Sequence, residues 1–427
     1  MVDLSVIIPT SNESDNLKLL LPELIKVIQK LHCEYEIIVA DTGFDCQVVD
    51  VVKEFGAKVF VQERKGYGAA LKEAFLKCKG HFVITMDADL SHNPYVVKQL
   101  YKERNSADIV IASRYIRGGF IKTSAIRKCL SALLNRVFTI ILDLPLKDIS
   151  SGYRLYKRDI LRDLDTESDS YEILEEIIVK AYMAGYLITE IPFHYFPRQF
   201  GKSHIKPMQC AYGFLKTLYK CWKCRNSIAS ADYDERAFYS RVPLQRYWQR
   251  KRHNIITEFS ERCENILDIG CGSSKILESI PQAIGMDLSL KKMRYRKRLI
   301  NPLVCADAFS VPFKDGFFDE VICSEVIEHV PMDMHLFEEF NRILKSGGIL
   351  ILGTPDYSKQ LWVILETLYK WIVPNGYAHE HISHYTLKSL RGILKQYGFE
   401  MLSYKYVFNC ELIIKAKKIK EAKVSVS

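Results

Sequence analysis

Two aspartates in the first half of the chain, Asp87 and Asp89, are well placed for chemistry. They follow an apolar run, residues 82–85, that is typical of a buried strand. Side chains two apart on an extended segment share a side, so the carboxylates would lie together. Carboxylates are hard oxygen ligands that suit Mg2+ or Mn2+. The pair therefore predicts a site for a divalent cation and a diphosphate at a strand end.

A second pattern lies about 180 residues further on, in Asp268-Ile-Gly270-Cys-Gly272. Small residues after a strand let the backbone approach a nucleoside cofactor closely. Asp287 ends the next predicted strand, where an acid can bind ribose hydroxyls, and Asp307 follows the third. These features at three successive strand ends predict a nucleoside-binding site. A Rossmann dehydrogenase remains a rival interpretation at this point.

Alternating apolar and polar segments predict the elements that position both sites. The alternation indicates two mostly parallel α/β sheets, separated by a polar stretch. We therefore predict domains at 1–224 and 246–427 with a linker at 225–245. Predicted strands are 4–8, 36–40, 58–61, 82–86 and 108–112, then 265–269, 283–287, 303–306, 320–324 and 348–353. Predicted helices include 16–31, 68–79 and the amphipathic 205–223, and a strand pair is expected around 185–196.

The composition and net charge of the chain limit the classes of partner that it could bind. The chain has 427 residues, 48% hydrophobic and 26% charged, which is ordinary for a globular protein. A net charge of +9, spread over both halves, does not indicate nucleic acid but fits anionic small substrates or an anionic membrane surface. Twelve cysteines without framework spacing, and no evident signal peptide, predict a cytoplasmic protein. Cys221 and Cys224 are expected to be helix thiols rather than zinc ligands, and no run is long enough for a transmembrane helix.

Several motifs resemble known families. Residues 5–13, 37–41, 86–92 and 111–115 are similar to family 2 glycosyltransferases of GT-A fold. Residues 151–156 and 192–204 resemble the dolichyl-phosphate (polyprenyl-phosphate) mannosyltransferase branch. Two departures stand out: Asp41-Thr-Gly-Phe44 replaces the usual Asp-Asp-Gly-Ser, and His204 stands where a lysine is common.

The resemblance implies a role for each of several residues. Residues that would bind the nucleoside are Pro9, Glu13 and Asp41, and residues that would bind the metal ion and the diphosphate are Asp87, Ala88 and Asp89. Residues that would flank the phosphates are Arg114, Arg127, Lys180 and Arg198. The catalytic set implied is Asp89, Arg114, Arg127 and Arg198.

The implied acceptor, a polyprenyl phosphate, is already an anionic nucleophile, so no strong general base is expected. The difficulty is to bring two anions together, for which a cation and arginines suffice. The helix at 205–223 has a basic face and an aromatic-apolar face, as interfacial helices do. It would lie on the cytoplasmic face of a membrane or dock on its own domain, and both interpretations stay open.

The second half resembles a class I, Rossmann-like methyltransferase. Residues 306–313, 318–321, 325–330 and 344–348 carry this resemblance across roughly 245–415. It implies that S-adenosylmethionine is bound by Asp268, Gly270, Gly272, Asp287 and Asp307. One departure is Ser274 in place of the usual third glycine, which is expected to weaken binding without abolishing it.

The methyl acceptor leaves several interpretations open. His379, His381 and His384 cluster with Glu380 and Tyr385 before a predicted helix, and either this cluster or His329 would supply a general base. The cluster would alternatively form a metal site or simply cap the helix. The basic run at 291–298 would contact phosphates or lipid headgroups, or be a solvated helix face.

The leading hypothesis is a bifunctional transferase. Its first domain would move a mannose-like hexose from a nucleotide sugar to a polyprenyl phosphate, and its second would methylate the same glycan or lipid. The alternative is transfer to a glycan or protein hydroxyl, with the second half a non-catalytic module that binds S-adenosylmethionine.

Overall fold

The structure, a computed structural model, describes residues 2–43, 46–198, 207–332, 335–372 and 381–419. The chain forms two compact units. The first comprises Met1–Tyr182 and Tyr186–Trp222, and the second comprises Met183–Gly185 and Lys223–Ser427.

A seven-stranded sheet organises the first unit, in the order β3-β2-β1-β4-β7-β5-β8. All neighbouring pairs are parallel except those of β7, which runs antiparallel to β4 and β5. Two short strands, β6 and β9, pair in parallel separately. The strands are β1 (Leu4–Thr10), β2 (Tyr35–Asp41), β3 (Lys58–Val61), β4 (Phe82–Thr85), β5 (Ile109–Ser113), β6 (Phe120–Ile121), β7 (Arg154–Lys157), β8 (Ile188–Pro192) and β9 (His194–Tyr195).

The sheet of the first unit is covered by helices on the faces of its central strands. β1 is buried along almost its whole length, as expected of a parallel strand with both faces covered. Ser124 caps α5 by accepting a hydrogen bond from the Arg127 amide. The helices are α1 (Ser14–Gln29), α2 (Cys46–Glu54), α3 (Tyr67–Lys77), α4 (Val96–Lys102), α5 (Ala125–Ile141), α6 (Arg158–Asp163), α7 (Ile173–Met183) and α8 (Pro207–Arg225).

The second unit contains another seven-stranded sheet, in the order β12-β11-β10-β13-β14-β16-β15. β16 is antiparallel to both of its neighbours and the other pairs are parallel. The strands are β10 (Ile266–Ile269), β11 (Ile284–Asp287), β12 (Leu303–Cys305), β13 (Phe318–Ser324), β14 (Leu344–Pro355), β15 (Phe399–Val407) and β16 (Glu411–Lys418).

The helices of the second unit include two in the segment predicted to be a linker. That segment, 225–245, carries α9 and the start of α10, which begins with Pro243 in the first turn, a favourable position for proline. A 3-10 turn, Ile327–His329, follows β13. The α-helices are α9 (Tyr233–Phe238), α10 (Pro243–Phe259), α11 (Ile276–Ser279), α12 (Leu290–Arg296), α13 (His335–Ile343), α14 (Gln360–Ile372) and α15 (Leu387–Gln396).

The predicted fold class is confirmed by these two mixed α/β sheets. The strands expected around 185–196 are present, but β8 pairs with β5 and β9 pairs with β6, so they do not form a hairpin with each other. Within the described ranges, no helix combines the length and apolar composition needed to cross a bilayer.

In each sheet, successive strands of the chain are added first on one side of a central strand and then on the other. This change of side falls between β1 and β4 in the first sheet and between β10 and β13 in the second. Ligands of open α/β sheets bind at the carboxyl ends of the strands at such a switch point. The two predicted sites both begin at these positions.

Candidate active sites

The first site forms where β1, β2 and β4 end side by side. Thr10 and Asp41 are register partners at the ends of β1 and β2. The Asp41 carboxylate is buried, and it accepts hydrogen bonds from the Thr10 hydroxyl at 2.8 Å and the Gly43 amide at 2.7 Å. Pro9 is half-buried one residue before Thr10. The predicted nucleoside residues Pro9 and Asp41 are therefore brought to one edge, with Asp41 stabilising the loop that follows β2.

Asp87 and Asp89 follow β4 at the same edge. Asp89 is 7% exposed, and one carboxylate oxygen accepts the Ser91 amide at 3.1 Å. Asp87 lies half-buried beside it, and burial, followed by the negative charge of Asp89, raises the pKa of its carboxyl. The two acids therefore repel each other electrostatically in a partly desolvated place, which is the condition that a divalent cation relieves.

His92, which sequence reasoning did not single out, supports Asp87 from a buried position. Its Nδ1 accepts the Asp87 amide at 2.9 Å, and its Nε2 lies 3.6 Å from a carboxylate oxygen of Asp87. The ring stacks on Tyr153 with centroids 4.7 Å apart. Burial lowers the pKa of His92, so the ring is neutral and carries its proton on Nε2, toward Asp87.

Tyr67 and Gly152 complete the surroundings of Asp87. The Tyr67 hydroxyl donates to Oδ1 of Asp87 at 3.3 Å. A Cβ atom at Gly152 would lie only 2.8 Å from that hydroxyl and 3.6 Å from Asp87 Oδ1. A side chain at position 152 would therefore displace the tyrosine from the acid, which explains the need for glycine there.

Arg198 joins the acids of this edge. One of its guanidinium nitrogens lies 3.0 Å from Asp89 Oδ2, and another lies 3.9 Å from an oxygen of Glu13. Glu13 precedes the first turn of α1 and also accepts a hydrogen bond from Asn16. The structure thus brings Glu13 and Asp89 to either side of Arg198.

The other three basic side chains predicted to flank the phosphates do not pair with Asp87 or Asp89 in the described residues. Arg114 makes a bidentate pair with buried Asp148, with both nitrogen–oxygen distances 2.8 Å, and its charge partly opposes the rise in the pKa of the Asp87 carboxyl that burial causes. Lys180 lies against Glu176 at 2.7 Å and the Asp165 carbonyl at 2.5 Å. Arg127 is exposed in the first turn of α5. No described hydrogen bond or ion pair joins Lys180 or Arg127 to Asp87 or Asp89.

Asp148 was missed by sequence reasoning because its partner comes from a distant segment. Burial would raise its pKa, but the Arg114 charge and its hydrogen bonds hold that pKa below the ordinary value. Asn135 of α5 accepts the Ile149 amide at 2.7 Å and so fixes the loop beside Asp148. The predicted positions Phe44 and His204 lie outside the described residues.

The second site begins with the turn after β10. The Gly270 and Cys271 amides donate to the Met286 carbonyl at 2.8 and 3.1 Å, which holds the turn against β11. Gly270 has a φ of 68°, and a Cβ atom there would lie 2.1 Å from a methyl group of Val326. The position therefore accepts only glycine. The Gly272 amide donates to Asp287 at 2.9 Å, so that acid orders the turn.

Asp268 lies at the floor of a cleft beside this turn. It is 1% exposed, and burial raises the pKa of its carboxyl to about 8. Gly270 and Ser274 line the same cleft, whereas Asp307 is exposed at the end of β12, where it accepts the Phe309 amide at 3.0 Å. The lining also includes Asp234, Gln249, Arg252, Lys292, Ser324 and Glu325.

Asp234 is a site residue that sequence reasoning did not find, because it belongs to the supposed linker. Its carboxylate accepts the Ser273 amide at 3.0 Å and the Ser273 hydroxyl at 3.2 Å, and Lys292 lies 3.7 Å away. α9 therefore places an anion on the amide-rich turn after β10. Lys292 belongs to the basic run at 291–298, of which Arg296 is also buried and donates to the Gly272 carbonyl at 3.4 Å.

A polar cluster lies after β13. Arg252 pairs with Glu325 at 2.9 Å, and a carboxylate oxygen of Glu411 is 3.4 Å from the same guanidinium. Glu328 is fully buried, and its burial raises the pKa of its carboxyl well above the ordinary range. His381 lies close to this glutamate, with its ring centroid 4.9 Å from that of His329.

The remaining predicted histidines lie elsewhere. The ring of His384 is exposed and stacks on Tyr357, with centroids 4.0 Å apart. His379 and Glu380 lie outside the described residues. Cys221 is buried and Cys224 is exposed, and the only group of three metal-ligating side chains found among the described residues is Glu328, His329 and His381.

Two family models match different parts of the chain. Residues 5–165 match Glycosyl transferase family 2, and residues 240–404 match a methyltransferase domain. Over 213 residues the chain is 30% identical to the polyprenol monophosphomannose synthase of Mycolicibacterium smegmatis, covering 46% of this chain and 79% of that protein. The chain belongs to glycosyl transferase family 2.

A second relative comes from Pyrococcus furiosus. The chain is 30% identical over 233 residues to the dolichol-phosphate mannosyltransferase of Pyrococcus furiosus, covering 52% of this chain and 65% of that relative. A solved glucosyl-3-phosphoglycerate synthase from Mycobacterium tuberculosis covers 52% of this chain and 80% of its own, at 16% identity and a TM-score of 0.42, a likeness too distant to guide substrate choice. The predicted combination of a family 2 glycosyltransferase domain with a methyltransferase domain is confirmed.

Proposed function

We propose that the chain is a bifunctional transferase. The first domain moves a mannose-like hexose from a nucleotide sugar to a polyprenyl phosphate, with inversion at the anomeric carbon. The second domain uses S-adenosylmethionine to methylate the same glycan or lipid. The observation that carries the first half is the position of Asp89 at the carboxyl edge of the sheet, where it pairs with Arg198 and acts electrostatically on Asp87.

The residues present fit a divalent cation. Asp87 and Asp89 offer hard carboxylate oxygens, and burial together with the negative charge of Asp89 raises the pKa of Asp87. Mg2+ or Mn2+ bound by these two acids would offset the charge of the leaving diphosphate. His92 orients the backbone of Asp87, and Tyr67 donates to its carboxylate.

Positively charged side chains are positioned to stabilise the phosphate groups of the first reaction. Arg198, paired with Asp89, is positioned to exchange that partner for a phosphate oxygen, since a guanidinium fork fits either anion. Arg114 contributes its charge from the pair with Asp148. The acceptor phosphate is anionic at neutral pH, so the domain needs to orient it and has no proton to remove.

The acceptor side of the proposal is supported by two neighbouring helices. α5 and α8 pack together through Phe138 and Phe214, whose ring centroids are 6.5 Å apart. Both helices leave large apolar side chains exposed, which soluble surfaces rarely do in groups. These side chains are Ile126, Leu130, Leu133, Ile140 and Ile141 on α5 and Tyr212, Leu215 and Tyr219 on α8.

Exposed basic residues accompany this apolar surface, among them Arg127 and Lys128 on α5 and Lys216 on α8. Apolar side chains flanked by cations favour the interface of a membrane with anionic lipids. We therefore extend the proposal to peripheral binding at the cytoplasmic face, where a polyprenyl phosphate is held.

The methyltransferase half rests on the cleft around Asp268. A positively charged cofactor would lower the pKa of this buried acid by stabilising its ionised form. Gly270 permits close approach of the backbone, and Ser274, also in the lining, replaces the usual glycine without closing the cleft. Asp234, Asp287 and Lys292 order the turn that the cofactor would contact.

The decisive test supplies radiolabelled nucleotide sugars, a polyprenyl phosphate and Mg2+ to the full chain and follows chloroform-extractable label. Asp89→Asn should reduce transfer by at least a hundredfold, whereas Asp159→Asn, at an exposed position on α6, should leave it unchanged. Equal transfer by Asp89→Asn would remove the metal role. Label found only in water-soluble product would instead favour a glycan or protein acceptor.

The second half needs its own measurement. Mass spectrometry of the lipid fraction, with and without S-adenosylmethionine, should show a product heavier by one methyl group. Calorimetric binding of S-adenosylmethionine without turnover on any glycan or lipid would favour the non-catalytic module. Absence of binding would reject the cofactor altogether.

A further inference from the structure

Three side chains of the second unit lie close together near the end of β13. The chemistry proposed above does not use them. The potential ligand atoms of Glu328, His329 and His381 all lie within 4.8 Å of one another. Glu328 and His329 belong to the 3-10 turn after β13, whereas His381 comes from a segment more than 50 residues later. Their meeting is a product of the fold rather than of sequence proximity.

Backbone hydrogen bonds hold the two segments together. The amides of Ile382 and Ser383 donate to the Glu328 carbonyl at 2.8 and 3.0 Å. The Ser383 hydroxyl donates to the Val330 carbonyl at 2.6 Å. These bonds fix the residue before Ile382 next to the 3-10 turn, so the position of His381 is set independently of its ring.

A further set of contacts orients the His381 ring. Its Nδ1 lies 3.1 Å from a Glu366 carboxylate oxygen and 2.7 Å from the Tyr357 hydroxyl. Trp362 stacks on the ring, with centroids 6.1 Å apart and planes at 21°. A proton held on Nδ1 by a carboxylate puts the lone pair on Nε2, which is the arrangement found around metal-ligating histidines.

The carboxylate of Glu328 is a second, independent observation that points to a bound ligand. Its side chain is 0% exposed, and one oxygen accepts the Thr354 hydroxyl at 3.1 Å. The other oxygen, Oε1, is buried without a hydrogen-bond donor among the described residues. A buried carboxylate oxygen without a donor is costly, so a cation at this position would compensate it.

We propose that Glu328, His329 and His381 form a binding site for a divalent transition-metal ion. Two imidazoles and one carboxylate favour Zn2+, Mn2+, Fe2+ or Co2+ over Mg2+ or Ca2+, which prefer oxygen ligands only. Three protein ligands leave coordination positions for an exogenous ligand. These three ligands belong to the second unit, whereas Asp87 and Asp89 belong to the first.

The place of the site suggests its ligand, and this step rests on the proposed methyltransferase function. Glu325, three residues before Glu328, lines the cleft assigned to S-adenosylmethionine. A metal ion here would bind a hydroxyl of the methyl acceptor and lower its pKa. The hydroxyl proton passes to water, the oxygen bonds to the methyl carbon, and the carbon–sulfur bond breaks with its electron pair left on sulfur.

Metal binding itself is the test, and it is measured without methyl donor or acceptor. The full chain is stripped with a chelator and titrated with Co2+, whose visible absorption reports nitrogen ligands, and with Zn2+ by calorimetry. All variants are made in an Asp87→Asn, Asp89→Asn background so that those acids do not contribute. His329→Gln and His381→Gln should each weaken Zn2+ binding by at least tenfold and reduce the Co2+ absorption.

His335→Gln is the matched control, because this exposed histidine pairs with Glu338 outside the cluster, and it should bind metal as the parent does. Glu366→Gln should weaken binding less than loss of either histidine. The proposal is overturned if the parent binds no Zn2+, or if both histidine variants, folded by circular dichroism, bind it unchanged. Retained S-adenosylmethionine binding in that case would leave the methyltransferase proposal standing.

Discussion

Arg198 stands between two acids, 3.0 Å from Asp89 and 3.9 Å from Glu13. In the absence of substrate its charge competes with any cation for Asp89. Arg198→Ala should therefore tighten Mn2+ binding while lowering the rate of sugar transfer by roughly 100-fold to 1,000-fold, since a phosphate contact is lost. Titration with Mn2+ and single-turnover transfer assays measure the two effects separately.

The opposite signs distinguish this role from a structural one. A variant that merely disturbed the fold would lose metal affinity and rate together. Arg162→Gln, at an exposed position on α6, serves as the control and should change neither quantity. Weaker Mn2+ binding by a folded Arg198→Ala chain would contradict the proposed competition.

Glu175 gives a prediction about pH. It is 1% exposed in α7, and burial raises its pKa to about 8, although the nearby Arg154 opposes the shift. The folded chain thus keeps a proton that the unfolded chain releases near pH 4.5, so its contribution to stability falls as pH rises from about 5 to about 8. Glu175→Gln removes this pH-dependent contribution to the free energy of unfolding.

The free energy of unfolding should therefore change in a defined way. Relative to the parent, Glu175→Gln should gain up to about 1.4 kcal/mol per pH unit between pH 5 and pH 8, and the difference should level off above pH 8. Urea denaturation at several pH values measures it. Glu54→Gln, exposed on α2, should show no such trend. A pH-independent difference for Glu175→Gln would mean that the acid is ionised when buried.

The sequence predicted some of these residues and not others for a physical reason. Asp87 and Asp89 were predicted to lie together because side chains two residues apart on an extended segment share a side, whatever the tertiary structure. The Asp148 partner of Arg114 and the Glu176 partner of Lys180 depend on how separate segments pack, which local pattern does not encode. Sequence reasoning consequently identified charged residues but not which charges neutralise each other inside the domain.

At the scale of elements, α5 and α8 illustrate the same limit. The amphipathic pattern predicted a helix at 205–223, and α8 occupies Pro207–Arg225. The predicted apolar face is divided, since Leu218 is buried whereas Leu215 is 66% exposed. The exposed apolar face of α5 was not predicted, because an apolar helix has the same pattern whether it covers a core or faces outward.

The exposed face of α5 provides a prediction about membranes. Leu130 and Leu133 are each 57% exposed and lie on the same side of the helix, three residues apart. Replacing both with glutamine should weaken binding to vesicles by on the order of tenfold per leucine, because each loses the transfer free energy of an apolar side chain. Sedimentation with vesicles of phosphatidylcholine and phosphatidylglycerol measures this.

An isolated exposed leucine is the appropriate control. Leu76 on α3 is 81% exposed, and Leu76→Gln should leave vesicle binding unchanged. Sugar transfer to a short, water-soluble polyprenyl phosphate should persist in the α5 double variant, since its active-site residues are intact. Undiminished vesicle binding by the double variant would exclude α5 as the membrane-facing surface.

At the scale of the molecule, each unit has its own sheet and its own buried core. The core of the first unit includes Leu4, Val6 and Ile8 of β1, whereas that of the second includes Leu267 and Ile269 of β10. The alternation of strands and helices predicted both sheets, with a linker at 225–245 between them. α9 lies in that segment and supplies Asp234 to the second site, a contribution that polar composition alone does not reveal.

Separate cores predict two unfolding transitions in calorimetry of the full chain. S-adenosylmethionine at a hundredfold excess over its dissociation constant should stabilise the second unit by about 2.7 kcal/mol, which raises that transition by roughly 5–10 °C. The other transition should respond to a nucleoside diphosphate with Mn2+ instead. Asp268→Asn should lose the first response and keep the second, and Asp89→Asn should do the reverse. A single transition that either ligand shifts as a whole would mean that the two units unfold as one cooperative structure, and the two sites would then be thermodynamically linked.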